Sequence, residues 1–387
     1  MKAVVCQNQQ LSVVDRAEPE PRDGQVVLKV LRCGICGSDL HVRQHCDHWG
    51  TLMARSGYTA SLRSDSELVF GHEFSGEVLD HGPKCRRTLK PGTRVVAMPA
   101  RRRGTAIDMI GLSAHSDGAY AERVAVEESL MMPIPNGLGP DLAALTEPMA
   151  VGWHAVRKGE VGKGDVALVI GCGPVGLSII SLLKARGVKT IIASDFSKGR
   201  RKLATACGAH VVVDPAETSP YANWSEFGFI ADVPGILELL VGTSEQMRRL
   251  PLVPWWHAWR VAEKIVGNPK GPVVFECVGA PGVLQSIING VPQFARIVVV
   301  GVCMQPDQIE TAIAVNMGVD LRFSGGYSPL EFRDTLHMIA EGKVNCEAMI
   351  TGEVGLGGVA AAFTALGDPE RHAKILINPD SQSIAPP

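Results

Sequence analysis

From Val166 to Ile170 the chain is continuously apolar over a strand's length, and Gly171, Gly173 and Gly176 then open a helix-length stretch of apolar and small residues. A second apolar run follows from Lys189 to Ala193 and ends at Asp195. The pattern predicts strand, turn, helix, strand. It continues with a helix over Lys198–Cys207 and strands over Val211–Val213, Val273–Cys277 and Arg296–Gly301, the alternation of a parallel sheet covered by helices. Between about Pro215 and Gly271 the alternation is interrupted. That insertion carries four of the six tryptophans, Trp224, Trp255, Trp256 and Trp259, and has helix-like spacing at Ile236–Leu250 and Trp256–Val266. It is either extra packing or an aromatic flap over a cleft or subunit contact. Before residue 32, short β-like runs at Ala3–Cys6 and Gln25–Leu31 predict a small β-rich unit. Beyond Phe323, Ser324-Gly325-Gly326-Tyr327 leads back toward it, with a helix at Glu331–Ile339 and a disordered tail past Pro379.

Composition narrows the class. With 387 residues, 45% of them hydrophobic, the chain can bury two ordinary cores. A net charge of −2 supplies no broad field for nucleic acid or an anionic membrane. No apolar run reaches the roughly 18–20 residues that span a bilayer, and the start lacks a signal-peptide pattern. Ten cysteines scattered through so long a chain fit reduced thiols in a cytoplasm better than a disulfide framework.

The candidate chemistry sits at the glycine turn and in three polar clusters. Gly171 permits a tight turn, Gly173 lets backbone approach a pyrophosphate and Gly176 lets helix pack on strand; Pro174 and Val175 complete this cradle at a helix N-terminus. Asp195 lies roughly 20 residues past Gly176, the offset at which a carboxylate accepts hydrogen bonds from an adenosine ribose, so the expected cofactor is NAD. Arg200 and Arg201 either accommodate a 2′-phosphate or form a solvated helix face. Val278, Gly279, Gly301 and Val302, at the carboxyl ends of later strands, are candidate neighbours of the nicotinamide half, although packing also explains the glycines. The polar clusters are Cys33 to His41 in a glycine-bent loop, Phe70 to Gly76, and Leu145 to Ala150. Cys, His and Glu are the ligand types of a catalytic zinc; singly, each is more often a packed core residue.

Together, CGICGSDLH at 33–41, GHEFSG at 71–76, the glycine turn and ECVGAPG at 276–282 resemble the zinc-dependent medium-chain dehydrogenase/reductase family, which includes alcohol, sorbitol and threonine dehydrogenases. Gly342-Lys343 and Lys374 to Ile377 agree more weakly, and the resemblance covers nearly the whole chain. It implies an α/β fold with a GroES-like β-rich catalytic domain at 1–150 and a Rossmann domain, a doubly wound parallel sheet, at 151–324. The insertion at about 215–271 falls within the second, and residues 325–387 return to the first. It implies Cys36 and His72 as zinc ligands, Glu73 as a third ligand or exchanging neighbour, and Glu147 in the next ligand position, as in the polyol-type branch. Ser38 then hydrogen-bonds the substrate alcohol, His41 ends a proton relay through the cofactor ribose, and Asp39 orients the ligand histidine. The residues between Ala97 and Ala114 contain no cysteine, so a second, structural zinc is not expected; Arg101-Arg102-Arg103-Gly104 there reads as a solvated loop. The span from Cys36 to His72 is longer than is usual in the family. Its His45, Cys46 and His48 either mimic metal ligands or belong to a polar surface loop. The expected protein is a cytoplasmic, homodimeric or homotetrameric, NAD-dependent zinc enzyme oxidising a small secondary alcohol or polyol. A zinc-free NAD(P)H-dependent reductase of the same fold and a non-catalytic dinucleotide-binding protein are the alternatives.

Overall fold

A computed structural model describes residues 1–58, 62–222, 224–250, 253–267 and 269–387. Residues 59–61 of the long span after Cys36, and residues 223, 251–252 and 268 of the Trp-rich insertion, lie outside the described residues.

Six parallel strands form one sheet, in the spatial order Val211–Val213, Thr190–Ser194, Val166–Ile170, Val273–Glu276, Arg296–Val299, Asp320–Phe323. The Val166–Ile170 strand is apolar throughout because both faces are covered, and its neighbours Thr190–Ser194 and Val273–Glu276 turn polar only at their ends. Leu177, Ile180 and Leu183 of the Pro174–Ala185 helix pack on one side, and Trp224, Ile287 and Ile288 on the other. Full burial of side chains such as Leu168 and Ile191 is worth about 1.5–3 kcal/mol each. Strand order reverses at Val166–Ile170, which leaves a crevice beyond its carboxyl end.

The second sheet has seven strands around Gln25–Gly34, which pairs antiparallel with Glu73–His81, Arg123–Glu127 and Lys374–Ile377. The chain's last strand thus lies beside one of its first, so residues far apart in sequence line the same sheet. The Thr146–Lys158 helix packs against both the Pro174–Ala185 helix and the Pro329–Ala340 helix and joins the two halves.

Three expectations need correction. The stretch from Gly37 is not a loop but a 19-residue helix, Gly37–Arg55, bent at His45 (φ −130°, ψ 36°). Extended Cys36 caps it, and the Asp39 carboxylate reaches back to accept the Cys36 N–H at 3.0 Å, reinforcing the helix start. Most of the long span after Cys36 is therefore helix rather than polar loop. The three arginines stand in a hairpin, Ala100–Arg103 with Ala106–Met109, where Arg103 grips buried Asp108 at 2.7 Å. The tail past Pro379 is ordered: the Ser383 carbonyl accepts the Gly355 N–H at 2.8 Å, and Gly355 leaves no room for a Cβ beside the Ser381 carbonyl. Polar contacts, not apolar burial, hold it. The insertion forms two helices, Val233–Arg248 and Trp255–Val266; the first buries none of its residues, and the insertion's contribution to core packing comes from Trp224, which lies against the sheet with Tyr221 and Phe229 beside it. Only Trp224 of the four tryptophans is buried; its indole N–H donates to the Gly290 carbonyl at 2.8 Å.

Candidate metal centre and dinucleotide cleft

Antiparallel pairing builds the first site. With Gly34 opposite Glu73 and Cys33 opposite Phe74, the end of one strand delivers Cys36 beside His72 and Glu73 at the start of the next. Gly34 is required because a Cβ there would run into the Glu73 carboxylate. The ligand atoms of Cys36, His72 and Glu73 all lie within 4.8 Å of one another. Ser38, in the first turn of the following helix, places its Oγ 3.3 Å from His72 Nε2. On the other side of the ring, His72 Nδ1 lies 3.4 Å from Asp39 Oδ1. The other Asp39 oxygen accepts from the Cys36 N–H and, at 2.7 Å, from the Tyr120 hydroxyl. Asp39 thereby fixes a backbone, a phenol and an imidazole together.

Glu73 has a partner that sequence reasoning missed. Lys374 Nζ donates to its two oxygens at 2.8 and 2.6 Å and to the Ile35 carbonyl at 2.9 Å, which satisfies all three ammonium hydrogens. Both side chains are completely enclosed. Burial opposes the lysine's charge, but Glu73 and Cys36 outweigh it and raise its pKa. The available signal was a lone lysine heading an otherwise apolar strand, Lys374-Ile375-Leu376-Ile377.

Glu147 occupies the first turn of the Thr146–Lys158 helix. It stands outside the group of three but feels it: burial pushes its carboxyl up to about 7, His72 lowers it, Glu73 raises it and the Tyr327 hydroxyl lowers it. Tyr327, stacked on Phe332, is a second residue the sequence reading missed. Burial also raises the Cys36 thiol, with Glu73 adding to the effect. Burial disfavours charge on His72 as well, yet Asp39 and Cys36 raise its pKa well above the ordinary value. The arrangement gathers several acids around one lysine, which is an electrostatic demand for a cation. Thiolate, imidazole and carboxylate together are a donor set that suits zinc.

Farther along the helix, His41 reaches solvent, and the partial loss of hydration of its ring, followed by the neighbouring His45, lowers its pKa. Cys46 is packed inside, its thiol pushed up to about 12 chiefly by burial. His48 Nε2 donates to the Met304 carbonyl at 2.7 Å. Among the described residues neither these two nor His45 joins the Cys36, His72 and Glu73 group.

The second site is a cleft of about 1350 Å³, lined by Gly171, Gly173, Asp195, Arg200 and Val278, among others. Gly171 has φ +90°, a conformation that favours glycine, and a Cβ on Gly176 would collide with the Gly171 carbonyl. Gly173 caps the Pro174–Ala185 helix with no side chain on its N–H groups and with open space where a Cβ would be. Pro174 and Val175 form the first turn. Asp195 accepts the Cys172 N–H at 2.7 Å and the Ser197 N–H at 2.8 Å, so it faces the turn itself. Arg200 lines the cleft, its guanidinium 4.0 Å from Asp195. Arg201 is no solvated face: it pairs with Asp214 at 2.8 Å and donates to the Asp195 and Phe196 carbonyls. At the far end, Glu276 accepts the Val278 and Gly279 N–H groups at 2.7 and 2.8 Å, and Gly279, Gly301 and Val302 abut one another too closely for side chains on the glycines.

Residues 22–136 match the alcohol dehydrogenase GroES-like domain, and residues 174–341 match the zinc-binding dehydrogenase domain. The (R,R)-butanediol dehydrogenase of Bacillus subtilis (strain 168) is 30% identical over 98% of this chain and 100% of that protein. The chain belongs to the zinc-dependent medium-chain dehydrogenase/reductase family. Within this family, the sorbitol dehydrogenase of Bos taurus is 26% identical, covering 89% of this chain and 86% of that one. The crystal structure of 2R,3R-butanediol dehydrogenase from Bacillus subtilis superposes with a TM-score of 0.72 at 27% identity, over 98% of this chain and 99% of that one. The fold is accordingly a GroES-like unit with a Rossmann sheet, and the activity is that of an alcohol-type oxidoreductase with a small-molecule substrate. Among the described residues no helix is long and apolar enough to cross a membrane.

Proposed function

We propose that this chain is a zinc-containing, NAD-linked dehydrogenase of secondary alcohols or polyols. Its catalytic domain comprises residues 1–150 and 325–387, and its cofactor domain residues 151–324. The carrying observation is the Cys36, His72 and Glu73 group, held by Asp39 on one side and Lys374 on the other. Cys36 and His72 hold zinc, with Glu73 or Glu147 completing the site. His72 uses Nε2, because Asp39 faces Nδ1 and fixes the tautomer and ring orientation. The cleft fits a dinucleotide: a glycine turn, a helix start without a side-chain cap and an acid after the second strand are the parts such a ligand requires. When bound, zinc supplies a Lewis acid that lowers the alcohol pKa, and NAD supplies the hydride acceptor.

The chain's own residues manage binding and the proton. Ser38 Oγ, beside His72, hydrogen-bonds the substrate hydroxyl and accepts its proton while passing its own along the relay toward His41. His41 receives the proton at the surface, and its lowered pKa keeps the imidazole neutral and able to accept it. Asp195 holds the adenosine ribose, with Arg200 beside it. Val278, Gly279, Gly301 and Val302 line the nicotinamide end, where Glu276 fixes the loop backbone. Relatives named for butanediol and sorbitol support a hydroxyl-rich or vicinal-diol substrate. The enzyme works as a homodimer or homotetramer in the cytoplasm, consistent with its free cysteines. Metal analysis combined with NAD reduction by a panel of secondary alcohols, diols and polyols tests the reading. About one zinc per chain and turnover of at least one diol or polyol are expected. Two tightly held zincs per chain, or no reduction with any alcohol, would overturn it.

A further inference from the structure

The segment between the Val359–Ala365 helix and the Lys374–Ile377 strand crosses to the parallel sheet and lays one carboxylate on the start of the Lys198–Cys207 helix. Glu370 Oε1 accepts the Lys198 N–H at 3.1 Å and Oε2 accepts the Gly199 N–H at 2.9 Å. Next to it, the Pro369 carbonyl accepts the Ser197 hydroxyl at 2.9 Å. The crossing is close-fitting: any Cβ on Gly199 would collide with the Glu370 backbone. The third N–H of this helix turn, from Arg200, goes to Ser197 Oγ at 3.0 Å. Glu370, Pro369, Ser197, Arg200 and Asp195 all border the dinucleotide cleft.

A helix start presenting backbone N–H groups with an arginine alongside is an anion seat. This one follows directly after Asp195, at the place where the 2′-phosphate that distinguishes NADP from NAD would arrive. The arginine is available for such a ligand, since Arg200 Nε is buried without a partner and its guanidinium stays 4.0 Å from Asp195. The seat is nevertheless filled, by an acid from the other end of the chain. We propose that Glu370 is a cofactor-specificity residue: its carboxylate takes the two N–H groups a 2′-phosphate would use and repels that phosphate. Selection of NAD then depends on two acids from opposite parts of the sequence, Asp195 beside the ribose and Glu370 on the helix. The proposal rests on the dinucleotide reading of the cleft.

The test uses ADP and 2′,5′-ADP as probes, titrated calorimetrically into the zinc-loaded full chain and into its Glu370→Ser and Glu370→Gln variants. The unsubstituted enzyme should prefer ADP. Glu370→Ser should tighten 2′,5′-ADP by roughly ten-fold, equivalent to 1.4 kcal/mol, while ADP shifts by less than about three-fold. Glu370→Gln, which keeps the shape but not the charge, should tighten it by a smaller factor. kcat/KM with NADP should rise in the same order. Unchanged 2′,5′-ADP affinity in both variants, or equal weakening of both nucleotides, would overturn the specificity role while leaving the cleft assignment intact. Absence of ADP binding to the unsubstituted enzyme would overturn the cleft assignment, and the proposal with it.

Discussion

The Cys36, His72 and Glu73 group and the dinucleotide cleft are built on opposite plans. The cleft is organised around one continuous stretch, Gly171 to Asp195, whose working parts are backbone N–H groups, a helix start and the absence of side chains. The metal group is made of side chains drawn from Cys36 to Asp39, His72 and Glu73, Tyr120, Glu147 and Lys374. Backbone donors are always present once the strand and helix form, so such a site tolerates change except where a Cβ would intrude. A side-chain site in a buried, low-dielectric place has no such reserve. Each charge there needs its partner, and loss of one leaves another uncompensated.

The largest expected effect follows at once. Cys36→Ala should abolish zinc binding and hydride transfer together, because one thiolate of a small ligand set is lost. ADP affinity, which depends on the other plan, should remain. Metal analysis and calorimetry on the same sample check this, and retention of both zinc and turnover would break the comparison.

Next comes Lys374→Met. Removing one partner of a fully buried ion pair typically costs about 3–5 kcal/mol, since the Glu73 carboxylate would be left enclosed without its ammonium. Urea unfolding should register a loss of that size. Adding Glu73→Gln to the variant should recover part of it, and a loss under about 1 kcal/mol would mean the pair is not what holds this corner.

His41→Ala should keep its zinc, since His41 lies outside the ligand group. Oxidation should slow by about 10²- to 10⁴-fold at low pH, where no hydroxide replaces the missing base, and recover as pH rises. A pH–rate profile with parallel metal analysis decides it. A uniform loss at every pH would remove His41 from the proton path.

The two plans also explain what could be read from the residues. Val166–Ile170 and Lys198–Cys207 fall where expected, because a run buried on both faces or an amphipathic face leaves a local periodic trace; Val211–Val213, an exposed edge strand, was legible from its β-branched run alone. Cys36, His72 and Glu73 were legible because their residue types and glycine contexts are local too. Lys374, Tyr120, Tyr327 and Glu370 were not, since each acts on a residue far away in the chain and only strand pairing or a chain crossing brings them together. The helix after Cys36 was hidden by Gly34 and Gly37, which read as loop, while its start is secured by the Asp39 capping contact. The ordered tail lacked a hydrophobic signal because its contacts are polar, the Ser383 carbonyl on the Gly355 N–H and Asp380 on Lys29.

The smallest expected effect lies at the seam between the two regions. Glu331, on the Pro329–Ala340 helix, accepts the Ser328 N–H at 2.8 Å, His154 Nδ1 at 3.0 Å and Arg157 at 3.2 Å. His154 and Arg157 belong to the helix that carries Glu147 toward the metal group and packs against the cleft's own helix. Burial by itself would raise the Glu331 carboxyl, but the Ser328 N–H, His154 and the Ser328 side chain outweigh it and hold it below the ordinary glutamate range. A carboxyl whose folded pKa is depressed stabilises the fold above its unfolded pKa, and that contribution is lost as pH falls through the folded value. Glu331→Gln should therefore destabilise by about 1–3 kcal/mol at neutral pH, the range for losing a hydrogen bond to a charged group. The gap from the unsubstituted enzyme should close as pH falls through the depressed folded pKa, where the native carboxyl is itself being protonated. Urea unfolding of both proteins from pH 7 down to pH 3 measures it. A gap that stays constant across that range would assign the loss to altered packing of the seam rather than to the charge on Glu331.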